Sequence, residues 1–166
     1  MTLLPAFQIR VYGNGDRLPA QAEAMFEEQL ACSREPLPED RRDRGQWRFA
    51  LACAVTPDEQ VLGGVHLDIG PICGAGPLAE EKLAYLERMF VRPEYRRQGL
   101  GAKLLRKAVE VAAEAGALYI RCSNSWGNEA ERALFLKCGF ALVDLDGEQD
   151  DEPCYLAVRP VQGLEE

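Results

Sequence analysis

The residues with the clearest chemical potential lie between a strand and a helix, in the segment Val91-Arg92-Pro93-Glu94-Tyr95-Arg96-Arg97-Gln98-Gly99-Leu100-Gly101. Arg96, Arg97 and Lys103 place positive charge at the helix end where the macrodipole is already positive, which is unfavourable unless an anion binds there. Unpaired backbone N–H groups at that end can hold a phosphate, and glycines let its oxygens approach closely. The segment therefore predicts a pyrophosphate-binding turn, with a solvated basic turn as the plainer alternative.

Two other glycine-containing phosphate signatures are missing from the sequence. There is no GxxxxGK followed by Ser or Thr, and no GxGxxG after a predicted strand. The sequence therefore argues against a P-loop kinase and against a dinucleotide-binding protein.

The elements that must position this turn are predicted from apolar periodicity and from turn residues. The best helix covers residues 99–115, with one apolar face, one charged face and Gly116 as its C-cap. The other predictions are a strand at 6–12, a helix at 16–31 capped by Asp16, a candidate lid at 32–46, a hairpin of strands 47–55 and 60–69, a Gly/Pro-rich insertion at 70–77, strands at 83–91 and 118–123, a helix at 129–138, and strands at 140–145 and 154–158. This order indicates an α/β fold, a mixed sheet with helices on both faces, in one domain over residues 1–166.

Composition narrows the class of protein. The 166 residues carry a formal net charge of −8, which would repel phosphate backbones on average and disfavours nucleic acid as a partner. The sequence shows no signal peptide and no run of about 18 apolar residues, so we expect no membrane association and a cytoplasmic location. The six cysteines lie at wide spacings without a nearby histidine set, so they are interpreted as inert core thiols and no metal is expected.

Residues 96–101 match the (Arg/Gln)-x-x-Gly-x-(Gly/Ala) signature of the GNAT N-acetyltransferase superfamily. The preceding Val91-Arg92-Pro93-Glu94-Tyr95 resembles the lead-in of that family, and the segment 128–140, a helix ending in Gly-Phe, resembles its second characteristic stretch. The resemblance implies the GNAT-like acyl-CoA N-acyltransferase fold, with a central, mostly antiparallel sheet. It also implies acetyl-CoA as co-substrate.

The same resemblance implies which residues contact acetyl-CoA. The pantetheine arm would pair like an extra strand, and the pyrophosphate would lie on backbone amides of the turn, with further contacts from the later strand and helix. The expected residues are Met89, Phe90, Val91, Arg96, Arg97, Gln98, Gly99, Leu100, Gly101, Ala102, Asn124, Asn128 and Phe135. Phe135 is a departure, because many family members carry there a tyrosine that is thought to protonate the departing thiolate.

Glu87 lies on the strand that leads to the turn, at a position where some relatives of this type place a catalytic side chain beside the acceptor. The resemblance therefore makes Glu87 the first candidate for the general base. A surface glutamate paired with a neighbouring arginine is the equal alternative. Tyr85 lies two residues earlier, so strand alternation puts it on the same face, where it would line the acceptor pocket or simply pack on the sheet.

His66, the only histidine, is interpreted as a packing residue. Asn128, with Glu131 three residues later, forms a helix capping box.

The sequence therefore predicts an acetyl-CoA-dependent N-acetyltransferase that acts on a primary amine of a small molecule or peptide in a ternary complex. A non-catalytic acyl-CoA-binding module of the same fold is the alternative, because Phe135 cannot donate a proton. The identity of the acceptor stays open, as does the choice between a monomer and a homodimer.

Overall fold

The computed structural model describes residues 2–34, 47–73, 75–125, 128–144 and 154–161. Within these ranges the chain forms strands and helices in the order β1 (Gln8–Gly13), α1 (Ala20–Arg34), β2 (Arg48–Val55), β3 (Val61–Pro71), β4 (Lys82–Val91), α2 (Leu100–Glu114), β5 (Ala117–Ser125), α3 (Glu129–Lys137), β6 (Ala141–Asp144) and β7 (Cys154–Pro160). Most of the candidate lid, residues 35–46, lies outside the described residues.

The strands form one seven-stranded sheet in the order β1-β2-β3-β4-β5-β7-β6. Every neighbouring pair is antiparallel except β4 and β5, which run parallel. A parallel pair needs a crossover connection, and α2 supplies it. The predicted mixed, mostly antiparallel sheet is therefore confirmed.

Helices cover both faces of the sheet. We call the side that carries α2 and α3 the α2 face. Its core combines buried α2 residues such as Leu104 with Ile120 of β5 and Phe135 of α3. The opposite side, the α1 face, has a smaller core in which Phe26 of α1 packs near Leu51 of β2. In the part of the chain that the structure describes, no helix is long and apolar enough to cross a bilayer.

The predicted hairpin between β2 and β3 is present. Thr56 organises its turn, because its hydroxyl donates to Asp58 Oδ1 at 2.6 Å and accepts from the Gln60 backbone N–H at 3.0 Å. The backbone N–H of Thr56 also donates to the Gln60 carbonyl at 2.9 Å. The proline and aspartate of this segment were the signals that predicted the turn.

The predicted start of the first helix is wrong by four residues. The helix begins at Ala20, and the Pro19 carbonyl accepts from the N–H of Ala22 at 2.8 Å and of Glu23 at 3.0 Å. Asp16 does not cap it, because its Oδ2 accepts instead from the Gly13 backbone N–H at 2.7 Å. The side chain of Asp16 thus closes the turn after β1, a competing local use of aspartate.

Candidate functional site

The strands β4 and β5 separate part-way along their length. They pair in parallel only as far as Tyr85 and Arg121, beyond which β5 continues alongside β7. Among the described residues, the backbone edge of residues 86–91 that faces β5 has no ladder partner. We call it the open edge. An extended, amide-bearing chain can add to such an edge as a strand. The open edge contains three residues predicted for pantetheine, Met89, Phe90 and Val91.

A β-bulge lies in β4 at the start of the open edge. His66 of β3 stands opposite Arg88, whereas the next residue, Leu67, stands opposite Leu86. Glu87 is therefore the inserted residue. Bulges of this kind bend a strand and re-aim side chains, and they are over-represented near active sites.

The bulge reverses which positions of β4 face the core. Before it, Ala84 and Leu86 are buried in the core of the α2 face. After it, Met89 and Val91 pack against the same core. The alternation thus changes from even to odd residue numbers across Glu87, as one extra residue in a period of two requires.

Polar side chains meet on the α1 face where β4 and β5 separate. The Tyr85 hydroxyl donates to Ser123 Oγ at 3.4 Å, and the guanidinium carbon of Arg121 lies 5.3 Å from the Tyr85 ring centroid. Glu87 is exposed, and since Ala84 and Leu86 face the opposite core, Tyr85 and Glu87 share the α1 face as expected. This group brings the predicted base close to a surface that an acceptor can reach.

His66 lies on the same face and is fully buried. Its ring centroid is 5.0 Å from that of Phe49, and its Nε2 is 3.3 Å from Asp68 Oδ1. Burial against an aromatic ring agrees with the interpretation of His66 as a packing residue.

The turn between β4 and α2 has a backbone conformation that can hold an anion, and we call its residues 97–102 the cradle. Arg97 and Gly99 have φ of 61° and 82°, in the left-handed region that glycine tolerates best. Gly99 is the N-cap of α2 and supplies no side-chain cap. None of the six backbone N–H groups from residue 97 to residue 102 donates a hydrogen bond to another described residue. These groups belong to Arg97, Gln98, Gly99, Leu100, Gly101 and Ala102, the residues predicted for the pyrophosphate.

Positive charge surrounds the cradle without an acidic residue in the first turn of α2. Arg96 connects the cradle to the open edge, since its Nε donates to the Val91 carbonyl at 2.9 Å and its guanidinium carbon lies 6.0 Å from the Phe90 ring centroid. The ammonium of Lys103 lies 5.2 Å from the Phe7 ring centroid. This arrangement favours an anion at the N-terminus of the helix.

The side chain of Gln98 has a role that sequence reasoning missed. Its Oε1 accepts from the Leu4 backbone N–H at 2.9 Å, and its Nε2 donates to the Thr2 carbonyl at 2.8 Å. These two hydrogen bonds hold residues 2–4 against the cradle. The pairing joins positions 94 and 96 residues apart, so no local sequence signal could have predicted it.

Gly101 allows α2 and α3 to approach each other. A Cβ at this position would stand 3.3 Å from Leu134 Cδ2 and 4.0 Å from Val91 Cγ2. The second glycine of the signature therefore serves close packing as well as access to the backbone.

The segment 128–140 begins with the predicted cap and continues into the core. Asn128 is the N-cap of α3, and its Oδ1 accepts from the Glu131 backbone N–H at 3.1 Å. Phe135 is fully buried, with its ring centroid 5.0 Å from that of Phe140 in an edge-to-face arrangement. The expected contacts of Asn128 and Phe135 with acetyl-CoA stay predictions.

The backbone of Asn124 pairs with Tyr155 in the sheet, and its side chain lies outside the described residues.

Two further residues near the site were not predicted. Arg121 is half-buried, and its Nε is buried without a hydrogen-bond partner among the described residues. Tyr155 of β7 is fully buried, and burial, followed by the negative charge of Glu131, raises its pKa to about 12. The pairing of Arg121 with Tyr85 depends on the register between β4 and β5, which the sequence alone does not give.

Comparison with known proteins places the chain in a family. A family model described as the acetyltransferase (GNAT) family matches residues 22–140, which include the open edge, the cradle and α3. The chain belongs to the GNAT acetyltransferase family. The resemblance seen in the turn and in the segment 128–140 is therefore confirmed.

Individual GNAT relatives share parts of the sequence or the fold. The chain is 33% identical to the aminoglycoside N(6')-acetyltransferase type 1 of Klebsiella aerogenes over 57% of its length, and spans 60% of that protein. It is 49% identical to the thialysine N-epsilon-acetyltransferase of Bos taurus over 33% of its length, and spans 32% of that protein. The fold also matches the Arabidopsis thaliana NAA60 structure in complex with acetyl-CoA, with a TM-score of 0.58, 14% identity and coverage of 94% of this chain and 100% of that one.

Proposed function

We propose that this protein is an acetyl-CoA-dependent N-acetyltransferase that acts on a primary amine of a small molecule or peptide, by direct attack within a ternary complex. The observation that carries the proposal is the continuity of the open edge with the cradle, which Arg96 links through the Val91 carbonyl. The open edge suits an extended arm with amide groups, and the cradle suits a diphosphate. Acetyl-CoA has both groups in that order and would supply the acetyl group as a thioester.

The relatives support the class of acceptor. The Klebsiella protein is named for an aminoglycoside and the bovine protein for thialysine, and both substrates are amines. Family membership itself indicates acetyl transfer, and the matched residues contain both parts of the candidate site.

The main chemical demand on the protein is removal of a proton from the acceptor. A lysine-like amine has a pKa of about 10.4, so only about one molecule in a few thousand is neutral at pH 7. Glu87 is exposed beside the point where β4 and β5 separate, so its carboxylate would take this proton directly or through one water. General base action of this kind typically contributes about 10² to 10⁴ in rate.

Departure of the thiolate makes a smaller demand on the protein. A thiol has a pKa of about 8.5, so its conjugate base leaves readily without a strong acid. Phe135 cannot donate a proton, and its ring is buried against Phe140. Backbone N–H groups of the open edge would also polarise the thioester carbonyl.

The buried Phe135 also favours a second candidate, a non-catalytic acyl-CoA-binding module. In that case the cradle and open edge would bind acetyl-CoA, and no amine would be acetylated. Turnover of any amine at a rate above the uncatalysed reaction separates the two candidates.

The first experiment is calorimetric titration of acetyl-CoA into the wild type and into Gly99→Glu, which adds bulk and negative charge to the cradle. Gly15→Glu is the matched control, because Gly15 has a similar φ of 85° and equally open surroundings in the turn after β1. We expect micromolar binding in the wild type and the control, and none in Gly99→Glu. Absence of binding to the wild type would contradict both candidates.

A further inference from the structure

Arg121 is a half-buried cation that has no counter-charge among the described residues. The described residues contain no carboxylate within ion-pair distance of it, and its Nε is buried without a hydrogen-bond partner. Burying a guanidinium group is costly unless its donors are satisfied. The Tyr85 ring, 5.3 Å away, covers one side of the group but provides no acceptor for its N–H donors. The described part of the site therefore offers Arg121 no anionic partner.

The position of Arg121 argues against a phosphate of acetyl-CoA as that partner. Arg121 stands beside Tyr85, whereas the cradle follows Val91, six residues further along β4. At a rise of about 3.3 Å per residue, the two positions are ~20 Å apart. The phosphate-binding backbone is thus well beyond the reach of this side chain.

The position of Arg121 does suit contact with a second functional group of the acceptor. Arg121 and Glu87 lie on the α1 face, and Glu87 is two residues beyond Tyr85, or ~7 Å along the strand. Among the described residues of β3 and β4, Asp68, opposite Tyr85, and Arg88, opposite His66, also lie on this face. A molecule whose amine approaches Glu87 can therefore place a second group several ångströms away, beside Arg121.

We propose that Arg121 binds a carboxylate of the acceptor, so that the preferred substrate is an amine that also carries a carboxylate, such as an amino acid or a short peptide. A guanidinium presents paired N–H donors that match a carboxylate, and stacking on Tyr85 would hold their plane. This inference rests on the proposed acetyltransferase function and narrows its class of substrate. A polyamine without an acidic group would leave Arg121 unsatisfied.

The test measures kcat/KM for matched pairs of amines that differ in one carboxylate. L-lysine is compared with 1,5-diaminopentane, and glycylglycine with its C-terminal amide. A hydrogen-bonded charged contact is worth about 10- to 100-fold in kcat/KM, so we expect the wild type to prefer the carboxylated member by that factor. Arg121→Gln should erase the preference by slowing the carboxylated member alone, and Arg121→Lys should restore part of it.

The controls separate binding of a carboxylate from support of the fold. Arg106→Gln removes an exposed arginine of α2 and should leave the preference intact. The uncarboxylated amine reports on the fold of Arg121→Gln, because its rate should not change. An equal loss for both members would assign Arg121 a structural role and overturn the inference, as would a wild type that prefers the uncarboxylated amine or neither amine. If the chain binds acetyl-CoA but acetylates no amine, the proposed function fails first and this inference fails with it.

Discussion

Gly63 of β3 lies directly against the carbonyl group of Phe90 in β4. A Cβ at Gly63 would stand 2.5 Å from the Phe90 oxygen and 3.1 Å from the Val91 Cα, both backbone atoms that cannot rotate away. The closeness of these two strands therefore depends on the absence of a side chain at Gly63. Because Phe90 and Val91 belong to the open edge, the contact also fixes the position of the backbone proposed to bind pantetheine.

Gly63→Ala should therefore weaken both the fold and the binding of acetyl-CoA. Forcing a methyl group into a packed region typically costs about 1–3 kcal/mol, and relief of the contact would displace β4. We expect a lower free energy of unfolding in urea and at least tenfold weaker binding by calorimetry. Gly13→Ala is the control, because its Cβ would have no atom nearer than 3.8 Å. Unchanged affinity in a destabilised Gly63→Ala would show that the open edge does not hold the cofactor.

Glu87→Gln should lower kcat by about 10² to 10⁴ while leaving the affinity for acetyl-CoA unchanged, because the carboxylate is proposed to accept a proton and not to hold the cofactor. Steady-state kinetics with the best amine of the panel, together with calorimetry, would measure the two effects. Glu114→Gln, at the exposed end of α2, is the control and should retain full activity. A kcat within twofold of the wild type would remove Glu87 from the chemistry.

Phe135→Tyr should destabilise the protein without raising its rate. The ring is fully buried, so a hydroxyl placed there must find a partner or cost about 1–3 kcal/mol. Phe26→Tyr, fully buried on the α1 face, provides the comparison for the cost of a hydroxyl in a core. Denaturant unfolding and kcat should be measured on both variants. A tenfold gain in kcat for Phe135→Tyr alone would show that the wild-type site lacks a needed acid, and would contradict this prediction.

Tyr155 should make the protein less stable at high pH. Burial raises its pKa from 10.0 to about 12, so the unfolded chain releases this proton first. The contribution of Tyr155 to the free energy of unfolding is therefore complete below pH 10 and is lost as the pH rises towards 12. Tyr155→Phe should show a shallower decline over this range in urea titrations. Parallel declines for the two proteins would contradict this prediction.

Local patterns in the sequence predicted most of the elements and the cradle. The proline and aspartate after β2 marked a hairpin, and Gly116, with φ of 80°, follows α2 as expected. The glycine signature identified backbone amides at the start of α2 that donate no hydrogen bond to another described residue. These features depend on residues that are close in the chain, so periodicity and turn chemistry were sufficient.

Features that depend on contacts between residues far apart in the chain could not be predicted from the sequence. The bulge at Glu87 exists only relative to β3, and the contact of Arg121 with Tyr85 requires the β4–β5 register. The side chain of Gln98 bonds to residues near the start of the chain, although its neighbours suggested only a turn. The error at Asp16 has a related cause, since an aspartate can close a turn as readily as it can cap a helix.

The inserted residue of β4 also constrains how this strand can change. Replacing the Glu87 side chain would alter chemistry and leave the backbone in place, because the bulge is a property of residue count. Deleting Glu87 would restore an unbroken ladder with β3 and leave Met89 opposite Val65 and Val91 opposite Gly63, so both would still pack against the same core. The hydrophobic core therefore does not need the extra residue, whereas the site would lose both the carboxylate and the bend that positions it. The inserted residue thus serves the site and not the packing of the strand.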